Sequence, residues 1–351
     1  MSAPEATNRW SPRWSPWPHV WAWVLCCATF PLLWIGGLIT TTDAGMAVPD
    51  WPGTYGYNLW LYPWSTWFFG PWDLFIEHGH RLLASGVGLI TIGFTVVVWR
   101  CDPRGWMRSL AITALALVIF QGVLGGVRVW ANERLLAMAH GSTGPVFFAL
   151  TAALVILTRR PNYKEPVQEE SPANSRWVWL LPALVCVQLV LGAAMRHAPE
   201  DGSFVTFAQH VQTHLIQAGL VTAAVGFTAY RAWRSPTSSH SKLLPSLMVL
   251  VLLVQLSLGV ATWVAKYRLP RWANTAVASA SSEGAAWAGT LRPVTMTSST
   301  AGGWGETHTV TAHSANGSLL LALATAHAVA ARHRKPSTQQ PTHPPAPEAA
   351  A

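Results

Sequence analysis

At 351 residues the chain is long enough for two or three soluble domains, but 51% of its residues are hydrophobic and only 11% are charged. This composition excludes a large soluble domain and favours an integral membrane protein. The formal net charge of +8 lies mostly in short loops between apolar runs. That pattern sets membrane orientation, so no nucleic-acid partner is predicted.

Apolar runs of about twenty residues, the length of a helix that crosses a bilayer, recur along the chain. We predict eight membrane spans, at residues 20–42, 79–99, 109–130, 137–157, 177–196, 208–230, 244–265 and 308–331. Basic residues cluster in alternate connections, which is typical of the cytoplasmic side. The sequence therefore predicts an all-α integral membrane protein with eight transmembrane helices. It would lie in the cell (inner) membrane with both termini in the cytoplasm.

A polar stretch between the fourth and fifth spans divides the chain into two halves of four spans each. Each half is long enough to form a four-helix bundle. The predicted segments are a cytoplasmic N-terminal segment (1–19), an N-terminal four-helix bundle (20–160), a cytoplasmic linker (161–176), a C-terminal four-helix bundle (177–331) and a disordered tail (332–351).

Two short motifs repeat between the halves. The pattern Q-x-x-L-G occurs at Gln121–Gly125, Gln188–Gly192 and Gln255–Gly259, and H-x-x-x-G occurs at His140–Gly144 and His313–Gly317. Repetition four spans apart indicates duplication of a four-helix unit, so we predict two bundles related by a pseudo-twofold axis. Because small residues let helices approach closely, we interpret Q-x-x-L-G as a packing motif.

Four histidines lie at matching depth near the outer face, at the start of the spans that run inward: His80, His140, His214 and His313. Two facing imidazoles on a four-helix unit suit axial ligation of one haem iron, and the bundle interior suits the macrocycle. Zinc and copper also bind imidazole, but their sites usually recruit further histidine, thiolate or carboxylate ligands. We therefore favour haem and predict these four residues as iron ligands.

Two of these assignments have a competitor. His210 lies one helical turn before His214, and His308 precedes His313 in the last span. Alignment with His80 selects His214, and the H-x-x-x-G pattern selects His313. Five other histidines lack a repeat partner and are predicted not to be ligands: His78, His197, His240, His327 and His333.

The N-terminal half carries additional charged groups beside its first histidine. Glu77 precedes His80 by one helical turn, and Arg81 follows it. A carboxylate there suits proton transfer or stabilisation of a developing cation, and the arginine suits pairing with a haem propionate. The alternative is a helix cap with an interfacial ion pair. Span six has Val211 and Leu215 at the equivalent positions, which predicts a reactive half and a supporting half.

Several strings in the first half resemble the haem A synthase family, whose members oxidise a methyl group of haem O to the formyl group of haem A for cytochrome c oxidase. They are Gly36–Thr40, Thr42–Pro52, Tyr55–Gly56 and the E-x-x-H-R of Glu77 to Arg81. The first-loop string and E-x-x-H-R are the specific parts. The resemblance extends over the eight-span core.

The resemblance implies a site for each histidine pair. Haem O would bind as substrate between His80 and His140, with Glu77 and Arg81 as catalytic residues, and His214 and His313 would hold haem b. The implied partners are the lipid bilayer, a haem O synthase and an external electron-transfer partner, while the oligomeric state stays open. Departures from the family pattern are the absence of a cysteine pair in residues 43–78, Leu215 after His214, and the long connection 266–307.

Two other classes of protein stay open at this point. A di-haem b-type electron-transfer protein would use the same four histidines without any chemistry on the porphyrin. A transporter or assembly factor without haem would be colourless when purified.

Overall fold

The computed structural model describes residues 15–159, 177–198, 204–235, 239–267 and 303–332. Within these ranges the chain is helical and forms no β-strand, apart from one isolated bridge in the first loop. The helices are α1 (Trp17–Thr41), α2 (Trp64–Phe68), α3 (Trp72–Cys101), α4 (Gly105–Ala131), α5 (Arg134–Thr158), α6 (Leu180–Arg196), α7 (Phe204–Arg234), α8 (Ser239–Tyr267) and α9 (Trp304–Arg332).

Six of the described helices are long and apolar enough to cross a membrane, namely α1, α3, α4, α5, α8 and α9. They coincide with six of the eight predicted spans, and the chain is a multi-pass membrane protein of the all-α class. Predicted span five corresponds to α6, a shorter apolar helix. Predicted span six corresponds to α7, whose first turns carry Gln209, His210 and Gln212 and are more polar. Eight crossings therefore stay a prediction.

Most of the helices begin before the predicted spans, and the difference is largest at α3. This helix begins at Trp72 rather than at residue 79, directly after Pro71 with φ −58° and ψ 150°. Apolarity marks only the part of a helix that lies in hydrocarbon, whereas backbone hydrogen bonding continues past that boundary. Glu77 and His78 therefore lie inside the helix, and the alternative of Glu77 as a helix cap is wrong.

Helix contacts follow one pattern in both halves. In the first half α3 packs against α1 and α4, and α5 packs against α1 and α4. In the second half α7 packs against α6 and α8, and α9 packs against α6 and α8. The halves meet along α5 and α9, flanked by contacts of α1 with α9 and of α5 with α6. Two histidine-bearing helices thus lie at the centre of the molecule.

Each half has its own apolar core, and the outer surface is apolar as well. One core surrounds Phe94 and Met107, and the other surrounds Val225 and Met248, all fully buried. Large apolar side chains such as Leu253 are more than half exposed. Contiguous exposed apolar surface on this scale is expected where lipid replaces water as the solvent.

Several predicted segments fall outside the described residues. These are most of the N-terminal segment, the linker 161–176, the tail from residue 333 and most of the long connection 266–307. His333 lies outside as well, as does the side chain of His240.

Candidate haem-binding and catalytic site

The C-terminal half brings two of the predicted ligands face to face. His214 on α7 and His313 on α9 have ring centroids 6.5 Å apart and ring planes inclined at 62°. Both side chains are partly buried. The Nδ1 atom of His313 is buried without a hydrogen-bond partner. The pair selected from the repeat is thus assembled from two helices that are distant in sequence.

The N-terminal half contains the corresponding pair. His80 on α3 and His140 on α5 lie close enough to interact electrostatically. Both are partly buried, and the Nδ1 atom of His140, like that of His313, is buried without a partner. The structure therefore brings together the two pairs that the sequence predicted, one in each half.

A glycine of a neighbouring helix stands against each of the four imidazoles. A Cβ atom at any of these glycines would lie closer to the ring than most Cβ atoms lie to their neighbours, so the ring would have to shift. The distances to the nearest ring atom are 3.2 Å for Gly36 and His80, 3.0 Å for Gly125 and His140, 3.3 Å for Gly192 and His214, and 3.1 Å for Gly259 and His313. Three of these four glycines end the Q-x-x-L-G motifs.

The glutamines of the same motifs contact the same histidines. Gln121 donates to the backbone oxygen of His140 (3.3 Å), and Gln188 donates to that of His214 (3.1 Å). The Nε2 atom of Gln255 lies 3.5 Å from Nε2 of His313. The packing interpretation of Q-x-x-L-G was therefore incomplete, because the motif packs specifically against the histidine of the next span.

The two repeated motifs also interlock through the glycine of H-x-x-x-G. A Cβ atom on Gly144 would lie 3.3 Å from Nε2 of Gln121, and one on Gly317 would lie 3.2 Å from Nε2 of Gln255. The glycine of H-x-x-x-G thus leaves space for the glutamine side chain of the neighbouring helix. The glycine of Q-x-x-L-G leaves space for the histidine ring in return. The occurrence of Q-x-x-L-G and H-x-x-x-G on consecutive spans was the sequence signal for this arrangement.

The backing glycines predict a specific mutational effect. In Gly259→Ala the new methyl group meets the His313 ring at 3.1 Å, so we expect the ring to shift and bound haem to decrease several-fold. Gly226→Ala is the matched control, because a Cβ atom there meets nothing within 4 Å and alanine favours a helix. The measurement is haem per purified chain by pyridine haemochrome. Equal haem content in the two variants would show that the glycine is not required.

The competitor His308 and two of the histidines predicted not to be ligands, His78 and His197, have other surroundings. His308 is exposed and stacks on Trp304, with centroids 5.9 Å apart and planes at 24°. His78 is almost fully buried, and its Nδ1 atom lies 2.9 Å from the Thr54 hydroxyl. His197 contacts the backbone oxygen of Ala193. These contacts give the three histidines local partners, while their exclusion as ligands stays a prediction.

Glu77 and Arg81 form a buried ion pair that holds the first loop. One Glu77 carboxylate oxygen accepts from Arg81 at 2.8 Å, and the other accepts from the backbone N–H of Val48 at 2.9 Å. Arg81 also donates to the carbonyl oxygens of Val48, Asp50 and Gly53. The guanidinium is thus engaged with protein oxygens, while its pairing with a haem propionate stays a prediction.

The first loop is a folded cover on α3 and α4. The Asp50 carboxylate accepts from the backbone N–H groups of Tyr55 (2.7 Å) and Gly56 (2.9 Å). Burial alone raises the pKa of Asp50, but these N–H groups and the Arg81 charge outweigh it and hold the pKa below its usual value. A lowered pKa means that this contribution to loop stability is present at neutral pH. It is lost as the pH falls from about 4 through the lowered pKa.

Two arginines near the histidine pairs were not singled out from the sequence. Arg128 on α4 donates to the Gly45 carbonyl (2.9 Å) and acts electrostatically on both His80 and His140. Arg196, at the end of α6, donates to oxygens of α1 and α9. Arginines inside a membrane protein are costly and usually functional. Both arginines lie at the end of a span that carries Q-x-x-L-G, and this shared position was the sequence signal that could have identified them.

The groups that could bind metal come in pairs rather than larger clusters. Across the described residues, no group of three or more His, Cys, Asp or Glu side chains is placed to hold a metal ion. Taken together, the fold and the site define a class: a multi-pass helical membrane protein with two histidine pairs, one of them beside a buried Glu–Arg pair.

Comparison with known proteins agrees with that class. The family described as cytochrome oxidase assembly protein matches residues 71–208. A heme A synthase of Shouchella clausii is 29% identical over 171 residues, 46% of this chain and 53% of that protein. A heme A synthase of Symbiobacterium thermophilum is 27% identical over 178 residues, 47% of this chain and 54% of that protein. The chain thus spans about half the length of the curated relatives it matches.

A segment of this chain also resembles a second kind of protein. A protoheme IX farnesyltransferase of Halobacterium salinarum is 32% identical over 97 residues, 27% of this chain and 20% of that protein. No solved structure matches the chain. The resemblance predicted from the sequence is confirmed: about half of the chain is similar to heme A synthases.

Proposed function

We propose that this chain is a haem A synthase, which oxidises a methyl group of haem O to the formyl group of haem A for cytochrome c oxidase assembly. The observation that carries the proposal is the asymmetry between two otherwise matched histidine pairs. A glycine of a neighbouring helix stands against each histidine of both pairs, but within the described residues a buried carboxylate one turn from a histidine, Glu77, occurs only beside His80. Relationship to heme A synthases supports the same conclusion.

The residues present fit a haem in each half. The ring centroids of His214 and His313 lie 6.5 Å apart, so both imidazoles would be close enough to hold one haem iron. A buried nitrogen without a partner, as in His140 and His313, is uncommon, and a ligand at the ring accounts for it. We assign haem b to His214 and His313, and substrate haem O to His80 and His140.

In this assignment the two halves have different tasks. Haem b, when bound, supplies one-electron redox capacity between the substrate and an external electron-transfer partner. Oxidation of the methyl group to a formyl group takes up one oxygen atom, which water supplies, and releases protons together with electrons that pass to the external partner. Glu77 is the acid that we assign to proton transfer, and Arg81 holds it in position through the 2.8 Å ion pair.

The proposal includes the arrangement of the protein in the membrane. Two four-helix bundles related by a pseudo-twofold axis are supported by the matching helix contacts of the two halves. We place both termini in the cytoplasm and the histidine pairs near the outer face, as the basic loops predict. A haem O synthase is the proposed source of substrate, supported by the protoheme IX farnesyltransferase that contains a segment similar to this chain.

The test is pigment formation in cells. Co-expression of the chain with a haem O-forming enzyme is expected to yield haem A and its hydroxylated precursor on extraction, while the haem O-forming enzyme alone yields only haem O. Absence of both products from cells that contain the folded chain would overturn the proposal.

The alternative is a di-haem b-type electron-transfer protein, favoured by the glycine that stands against each histidine of both pairs. The alternatives differ in haem exchange. A substrate site must release its product, so haem at His80–His140 would exchange with added haem O while the other haem stays bound. An electron-transfer protein would retain both.

A further inference from the structure

We propose that Arg196 is a positioning residue that connects the two histidine pairs and adds a fixed positive charge beside the pair His214–His313. This inference rests on the proposed function, because it treats both pairs as haem ligands. Arg196 is the last residue of α6, one helical turn after Gly192, the glycine that stands against His214. Its backbone therefore belongs to the wall of the C-terminal site.

The side chain reaches the partner helix of that site. Nη1 of Arg196 donates to the Ser314 hydroxyl at 3.1 Å. Ser314 directly follows His313, so this bond restrains the turn of α9 that carries the imidazole. Arg196 thus connects α6, whose Gly192 packs against His214, with the turn of α9 that carries His313.

The same guanidinium reaches into the other half of the molecule. Nη2 of Arg196 donates to the carbonyl oxygen of Gly37 at 2.6 Å and to the Thr41 hydroxyl. Gly37 follows Gly36, the glycine against His80. The Thr41 hydroxyl lies 3.2 Å from the Thr311 hydroxyl on α9. A continuous set of polar contacts thus runs from the wall behind His80 to the helix of His313.

No acid of the described residues forms an ion pair with Arg196. In the described ranges its hydrogen-bond partners are neutral oxygens, and the ion pairs join other arginines to Glu77 and Asp102. Lys266 at the end of α8 lies within electrostatic range and is itself attracted by Glu306. A positive charge in a low-dielectric site favours the reduced iron, which carries less positive charge. Arg196 is therefore expected to raise the reduction potential of the haem at this pair.

The experiment compares midpoint potentials in the purified, haem-loaded full chain by optical redox titration. In Arg196→Gln the low-spin haem is expected to titrate at a lower potential than in the wild type. Arg196→Lys keeps the charge and is expected to stay near the wild-type value. Arg159→Gln is the matched control. It removes an exposed arginine that directly follows α5, at the end of that helix far from His140, and should leave the potential unchanged.

A second variant covers the case in which Arg196→Gln does not accumulate. Ser314→Ala keeps the charge and removes one contact, so the electron paramagnetic resonance signal of the low-spin haem is expected to shift as the His313 ring reorients. An Arg196→Gln potential equal to that of Arg159→Gln would overturn the inference, as would an unchanged Ser314→Ala signal where only that variant is obtained. A colourless wild-type protein would overturn the proposed function as well.

Discussion

Haem O oxidation is expected to stop in a Glu77→Ala variant, while the haem held by His214 and His313 stays bound. Removing a positioned acid or base typically lowers a rate by 10²- to 10⁴-fold, so we expect at least about a 100-fold loss of haem A. The measurement is the ratio of haem A to haem O in extracted pigments, with bound haem b read from the spectrum of the purified protein.

The structure requires a second variant to interpret that result. Glu77 is buried and paired with Arg81, and removing one member of a buried ion pair costs about 3–5 kcal/mol. Glu77→Gln retains the shape and an oxygen to accept from Val48 N–H, so the first loop should stay folded. We expect Glu77→Gln to lose turnover as well. Full activity in this variant would show that Glu77 serves only to hold the loop.

Loss of the resident haem is the second large effect that we expect. His214→Ala and His313→Ala each remove one of two facing imidazoles, so the low-spin spectrum of a bis-histidyl haem should disappear in both. The matched controls are His210→Ala and His308→Ala, which remove the competing histidines. His308 is exposed against Trp304, and its loss should leave the spectrum unchanged.

The outcome for these four variants decides the ligand assignment. If His308→Ala loses the haem and His313→Ala retains it, the choice made from the repeat is wrong. If all four retain a low-spin haem, the C-terminal pair is not the site. The readout is the reduced-minus-oxidised spectrum together with haem content per chain.

Sequence reasoning predicted much of the fold because bilayer thickness sets the length of an apolar run. Six predicted spans coincide with membrane-length helices, although α3 begins earlier than its apolar part because Pro71 and not polarity determines the helix start. The region of α7 is more polar because it carries His210, His214 and neighbouring glutamines. A binding site requires polar side chains, whereas a membrane span requires apolar ones. Hydropathy is therefore least informative at that helix.

The histidine pairs could also be predicted, because duplication repeats a motif at a fixed interval. His140 and His313 share H-x-x-x-G, and the structure brings His313 opposite His214. The contacts that Arg81 makes with the first loop could not be predicted. Its partners are carbonyl oxygens of Val48, Asp50 and Gly53, and every residue has a carbonyl, so no side-chain pattern encodes the contact.

The sequence by itself determined the all-α membrane class, the resemblance to heme A synthases and which histidines are equivalent, since each depends on composition, period or local motif. Only the tertiary structure decided how the motifs meet: Gly125 against His140, Gly259 against His313 and Arg196 between the two halves. These contacts join residues on different helices. The physical reason is that close packing and burial depend on the rotation and spacing of helices, which a linear pattern does not specify.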